Sequence, residues 1–202
     1  MSKSYRTQQP AAAAKRRIAL DEEGAPVLPR IIERRPTPGD CHPIPAASLR
    51  RVLKREVPLA YLLGLNRIEL RPRSNDQIGR PFAVYRRSEK SIILYSLPLE
   101  WFWSSFPSVK LVAGMQRFFA KVDVSPQGVQ VSWPAREILG IWYYIEVLGH
   151  ELGHHYRWQN RGRRRGISLS VHEEFVAEIH SHRFYRTFLK QVRELRERTE
   201  KA

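Results

Sequence analysis

The stretch from Pro134 to Trp158 limits the fold more than any other part of this sequence. Apolar residues run through positions 138 to 148, and Pro134 stands where the first turn of a helix tolerates a missing N–H. Asn160 and Gly162 follow as residues that end helices. The apolar run is about a dozen residues long, well short of the ~20 that cross a bilayer. We therefore predict a long helix in the core of a protein that does not enter a membrane.

The second half of this helix carries the pattern H-E-x-x-H at His150, Glu151 and His154. Residues i and i+4 lie one turn apart on the same face of a helix, so both imidazoles can bind one metal ion. Glu151 points away from that pair by about a third of a turn and can reach a water on the metal. Zinc lowers the pKa of such a water towards ~7, and a carboxylate can then accept its proton. The pattern predicts a zinc site with Glu151 as general base, and His155 turned away from it.

A third zinc ligand is expected from a second helix. Ser170 and Glu173 have the spacing of a capping box, and the sequence after them is helical in pattern. Glu174 lies twenty residues after His154 and can reach the metal if the two helices form a hairpin. Glu178 is one turn further on the same face and can accept the second ring N–H of a ligating histidine.

His182 shares the helical face of Glu174 and Glu178, and we take it as the best candidate to donate a hydrogen bond to a developing oxyanion. Other candidates for that role are Tyr156, His180 and Tyr185. Glu146, one turn before His150, is either a support for the metal site or a carboxylate paired with an arginine.

H-E-x-x-H followed by E-x-x-A-[DE] resembles the gluzincin class of zinc metallopeptidases. The resemblance implies the ligands His150, His154 and Glu174, the general base Glu151 and, beside the ligands, the acid Glu178. The order of helices, short sheet and the two motif helices is most similar to the ImmA/IrrE-type metallopeptidases, which act on transcriptional repressors in the bacterial cytoplasm. The resemblance covers about residues 48 to 190, with residues 98 to 133 as an insertion.

A second resemblance leaves the third ligand open. The sequence V-H-E-E-F at 171 to 175 partly resembles the H-G-x-x-F of SprT-type, DNA-associated proteases, which would make His172 the ligand instead of Glu174. Glu173 replaces the glycine of that motif, and no zinc-ribbon cysteines follow. We favour Glu174.

The composition indicates which partners the protein can bind and which cellular compartment it occupies. Thirty-five Lys and Arg residues against twenty Asp and Glu give a net charge of +15, which favours non-specific contact with nucleic acid. The basic run at 161 to 166 is a candidate phosphate-binding loop. A single cysteine, Cys41, excludes an intramolecular disulfide and indicates a reducing, cytoplasmic environment.

The predicted organisation is an α+β, zincin-like domain over residues 46 to 202, preceded by a disordered, proline-rich arm over residues 1 to 45. Short runs at 67 to 73, 81 to 87 and 91 to 97 predict a small antiparallel sheet packed on the motif helix, the last two forming a hairpin. The aromatic segment from 101 to 124 is expected to be core helix and loop. An edge strand of the sheet is expected to hold an extended peptide.

The predicted function is zinc-dependent hydrolysis of peptide bonds in a protein substrate, such as a transcriptional repressor or a DNA-bound protein. The alternative is a basic DNA-binding or regulatory protein whose zinc ion is structural. Glu151 distinguishes the two predictions, because a structural site needs no general base.

Overall fold

The computed structural model describes residues 27–73 and 82–160, together with the helical positions 177 and 179. It has a mixed α+β fold with two small sheets. The strands are β1 (Arg30–Glu33), β2 (Arg67–Arg71), β3 (Ala83–Arg86), β4 (Ser91–Tyr95), β5 (Glu100–Trp103), β6 (Lys121–Ser125) and β7 (Gly128–Ser132). The helices are α1 (Ala46–Arg55), α2 (Leu59–Leu62), α3 (Val109–Arg117), α4 (Arg136–Trp142) and α5 (Gly149–Asn160), with a π-helical segment, Tyr143–Leu148, joining the last two.

The first sheet has the strand order β1-β2-β4-β3 and is mixed. Strands β3 and β4 form the expected antiparallel hairpin, in which Ala83 pairs with Leu94. Strand β2 instead runs parallel to both β1 and β4, with Ile68 opposite Ile31 and Ile92. The prediction of a purely antiparallel sheet is therefore wrong. Alternation of apolar residues reveals a strand, but it does not reveal the direction of a partner that is distant in the chain.

The predicted arm is ordered from residue 27 onwards. Strand β1 adds to the edge of the sheet, and Cys41 exchanges two backbone hydrogen bonds with Leu97. Asp40 accepts two hydrogen bonds from Arg73 at 3.0 and 3.1 Å, which fixes the same segment on the sheet. The expected boundary at residue 45 is thus wrong for residues 27 to 45. Residues 1 to 26 lie outside the described part of the chain.

Two strands of the second sheet, β5 and β6, lie almost entirely in the segment expected to be helix and loop, and β7 follows it. The strand order of this sheet is β5-β7-β6, all antiparallel, and only α3 within this segment is helical. Val122 and Val124 on β6 pair with Val131 and Val129 on β7, so alternate valines face the same side. The prediction is wrong because the irregular spacing of the aromatic residues obscured two short strands, β6 and β7, in which every second residue is valine.

The long helix is confirmed and is continuous from Arg136 to Asn160. Backbone angles stay helical at both junctions of the π-helical segment, at Tyr143 and at Gly149. A π turn is wider than an α turn, so the segment changes the direction in which later side chains point. Relative to the residues of α4, the motif residues therefore point in directions that α-helical periodicity alone does not give. Within α5 the α-helical spacing is unchanged.

One hydrophobic core joins both sheets to this helix. Its centre is aromatic: the rings of Phe82 and Trp133 lie 5.2 and 5.1 Å from the ring of Trp142, measured between centroids. Trp101 and Trp103, which begin the second sheet, lie 6.2 Å from Phe82. These contacts bind the hairpin, the second sheet and the long helix into one unit.

Candidate metal and peptide site on helix α5

The two motif histidines meet on one side of α5. The Nε2 atoms of His150 and His154 lie 3.0 Å apart, and the ring planes cross at 86°. Both side chains are half-buried, as is Glu151. The i, i+4 spacing thus brings two imidazole nitrogens to a common point, as the sequence predicts.

The donor atoms fit a zinc ion. Two Zn–N bonds of about 2.0–2.1 Å at a tetrahedral angle place the nitrogens roughly 3.3–3.4 Å apart. At the observed separation of 3.0 Å the two rings are within hydrogen-bond distance of each other, and a small rotation of either ring would give the spacing that zinc requires. Both histidines and Glu151 also make interactions beyond this pair. Within residues 27–73 and 82–160, no group of three or more His, Cys, Asp or Glu side chains could hold a metal ion. Of the three ligands that the sequence predicts, His150 and His154 lie in these ranges.

His155 is a core residue. It is fully buried, its Nδ1 atom lies 3.0 Å from the hydroxyl of Tyr85, and its Nε2 atom lies 3.0 Å from the carbonyl oxygen of Leu63. The side-chain amide nitrogen of Gln159 lies 2.7 Å from the same Nε2 atom, so both ring nitrogens of His155 are in hydrogen-bond contact with the protein interior. This arrangement agrees with the prediction that His155 points away from the pair formed by His150 and His154.

Tyr143 connects the long helix to the hairpin close to Glu151. Its hydroxyl lies 2.7 Å from the carbonyl oxygen of Phe82 and 2.9 Å from that of Tyr95, and it donates its proton to this pair. Burial raises the pKa of Tyr143 well above its ordinary value, and the charge of Glu151 raises it further. Glu151 is therefore near enough to Tyr143 for its charge to act on the Tyr143 hydroxyl.

Strand β3 is held along the helix at two further points. Tyr85, in the middle of the strand, bonds to His155 as described. The guanidinium of Arg87 lies over the ring of Trp158, 2.7 Å from its centroid, and fixes the turn of the hairpin to the end of α5. Since β3 is the last strand in its sheet order, its outer edge faces no other strand of the described ranges.

Glu146 pairs with an arginine. A carboxylate oxygen of Glu146 lies 3.7 Å from a guanidinium nitrogen of Arg117, on α3. Tyr156 stacks on Tyr61 with ring centroids 4.6 Å apart. These contacts give Glu146 the arginine pairing that the sequence left as one of two alternatives, and give Tyr156 a packing role.

Several predicted site residues lie outside the described residues: Glu174, Glu178, His182, the rival ligand His172 and the basic run at 161 to 166. Between them, position 177 is helical, and Ala177 is fully buried. Sequence reasoning missed the tethers Tyr143 and Tyr85. Nothing in an apolar run or a short strand marks which tyrosine hydroxyl will find a carbonyl or an imidazole.

No family model, curated protein or solved structure matches this chain. Among the described residues, no helix has the length and apolar character that crossing a membrane requires.

Proposed function

We propose that the protein is a zinc-dependent peptidase whose metal is held by His150, His154 and Glu174. The observation that carries the proposal is the 3.0 Å approach of the two Nε2 atoms beside a half-buried glutamate. The fully buried, helical Ala177 supports a helix packed on the protein three residues after Glu174. As in the gluzincins that the motifs resemble, Glu178 would then orient a ligating histidine.

The chain's own residues divide the chemistry. When bound, zinc would supply a water of lowered pKa and polarise the scissile carbonyl. The carboxylate of Glu151 would serve as the general base that accepts a proton during attack on the carbonyl, and would pass this proton to the leaving nitrogen. His182 is proposed to donate a hydrogen bond to the carbonyl oxygen as negative charge develops on it.

Strand β3 is proposed to hold the substrate. It is an edge strand, it lies against α5, and Tyr143, Tyr85 and Arg87 fix its position relative to the motif. An extended peptide can therefore add to it through backbone hydrogen bonds, with its scissile bond near Glu151. Protein substrates of the cytoplasm, transcriptional repressors among them, are the proposed class.

The decisive comparison is wild type against Glu151→Gln, measuring bound zinc by elemental analysis and cleavage of a quenched peptide library and an unfolded reporter protein. We expect the variant to keep its zinc and to lose about 10²- to 10⁴-fold in cleavage rate. Glu100→Gln, on β5, serves as the control and should change neither quantity. Equal cleavage by wild type and Glu151→Gln would remove Glu151 from the mechanism. Zinc without cleavage in the wild type would favour the structural-zinc alternative.

The ligands are tested separately by zinc content per folded chain. His150→Ala and Glu174→Ala should each lose zinc. His155→Ala, a neighbouring histidine on the same helix, should lose stability but keep the metal. If His172→Ala loses zinc and Glu174→Ala keeps it, the third ligand is His172 and not Glu174. The resemblance to the SprT-type proteases would then be favoured over that to the gluzincins.

A further inference from the structure

A cavity lies at the opposite end of the long helix from the histidine pair. It has a volume of about 330 Å³, within the usual range of small-molecule sites. Its walls come from the Pro43–Pro45 segment, from Val52 on α1 and from Ile141 on α4. Ten residues separate Gly140, in its lining, from His150, which is roughly 15 Å along a helix. The cavity is therefore separate from the proposed peptidase site.

At the cavity, the backbone of α4 lies close to the backbone of the Pro43–Pro45 segment. At Gly140, a Cβ atom would lie 2.7 Å from the carbonyl oxygen of Pro43. Only glycine lets the helix come this near to the Pro43–Pro45 segment. The apolar residues Ile44, Val52 and Ile141 are part of the lining. The interior thus suits an aliphatic or aromatic side chain.

Two opposite charges, on Arg136 and Glu137, stand at the solvent-exposed rim of the cavity. Arg136 donates from Nε and Nη2 to the carbonyl oxygen of His42, at 3.3 and 2.9 Å, which fixes its guanidinium in place. Neither Arg136 nor its neighbour Glu137 forms an ion pair with any residue in the described ranges, although both line the cavity. A fixed cation and an anion beside an apolar interior can be satisfied together by one zwitterion.

We propose that this cavity binds a free α-amino acid with an apolar side chain. The carboxylate pairs with Arg136, whose planar guanidinium retains N–H groups beyond those given to His42. The α-ammonium pairs with Glu137, and the side chain packs against Ile44, Val52 and Ile141. A plain carboxylic acid would form the ion pair with Arg136 but not the one with Glu137, and a plain amine would form only the one with Glu137. The site accordingly prefers the molecule that carries both charges on one carbon.

The test uses the full chain and three probes of equal side chain: L-leucine, 4-methylpentanoate and 3-methylbutylamine. Titration calorimetry or NMR shift mapping should show L-leucine binding at least about tenfold more tightly than either singly charged probe. Equal affinity for the three would overturn the zwitterion assignment. Binding of none of them at millimolar concentration would overturn the site.

Variants assign the charges. Arg136→Gln should reduce the affinity for L-leucine to that for the amine while leaving amine binding unchanged, and Glu137→Gln should do the converse. Arg50→Gln, on the exposed side of α1, is the matched control and should bind all three probes as wild type does. Val52→Trp should fill the cavity and abolish binding of every probe. Unaltered L-leucine binding in Arg136→Gln and in Val52→Trp would contradict the proposal.

Discussion

The charge state of a buried side chain in this protein depends on the groups that hydrogen-bond to it. Glu69 is an example, because it stands in the middle of β2 and is only 3% exposed. Desolvation raises the pKa of its carboxyl, but hydrogen bonds from Arg67 and Arg71 on the same strand outweigh this and lower the pKa overall. A charge buried in this way stabilises the fold only while it is ionised and paired.

The acid stability of the protein should therefore depend on Glu69. Because its folded pKa is lowered, the unfolded state binds a proton first as the pH falls, and the stabilisation present above the unfolded pKa of about 4.5 is lost. Urea unfolding from about pH 7 to pH 3 should show a shallower loss of stability in Glu69→Gln than in wild type. Glu33→Gln, exposed on β1, is the control. Parallel profiles for wild type and Glu69→Gln would show that Glu69 contributes nothing to the acid transition.

At the level of elements, the sequence predicts what is local and misses what is distant. The long helix, the β3–β4 hairpin and the convergence of His150 and His154 follow from periodicity, turn residues and i, i+4 spacing. The parallel pairing of β1 with β2 does not, since Ile31 and Ile68 are far apart in the chain. No residue in Tyr143–Leu148 predicts that this segment is π-helical. The valine alternation in β6 and β7 is a signal that could have revealed the second sheet.

Tyr143 joins the long helix to the β3–β4 hairpin through hydrogen bonds. Tyr143→Phe removes the hydrogen bond shared by the carbonyl oxygens of Phe82 and Tyr95, and we expect a loss of about 1–3 kcal/mol in the free energy of unfolding. Hydrogen exchange of the β3 amides should accelerate more than that of the β7 amides. Tyr95→Phe keeps the Tyr95 carbonyl and serves as control. Uniform acceleration in both sheets would show that Tyr143 supports the fold in general and not the edge strand in particular.

The whole molecule is strongly basic, but its charges are unevenly available. Arginines on the first sheet are neutralised by carboxylates, as with Arg71 and Glu69 at 2.6 Å. Helix α1 instead exposes Arg50, Arg51 and Lys54, and none of these forms an ion pair within the described ranges. This helix is the natural first contact for a polyanion.

Duplex DNA binding should accordingly weaken steeply with salt. Replacing Arg50, Arg51 and Lys54 with Gln should lower the affinity and reduce the slope of log K against log salt by about 0.9 for each phosphate that the variant no longer neutralises. Lys121→Gln is the control, since the Lys121 ammonium already lies 3.1 Å from Asp123. Fluorescence anisotropy at several salt concentrations measures both quantities. A slope near zero in the wild type would contradict the proposed nucleic-acid binding.

The position of the long helix late in the chain has a consequence for synthesis on the ribosome. Its tethers reach far back: Arg136 to His42 over 94 residues, His155 to Leu63 over 92 and Tyr143 to Phe82 over 61. A nascent chain that ends before this helix lacks the central wall of its core, so the core cannot form until the helix has been synthesised. The two histidines proposed to bind zinc emerge on the same helix that supplies this wall. The chain therefore cannot acquire the proposed hydrolytic centre before it has the structure to enclose it.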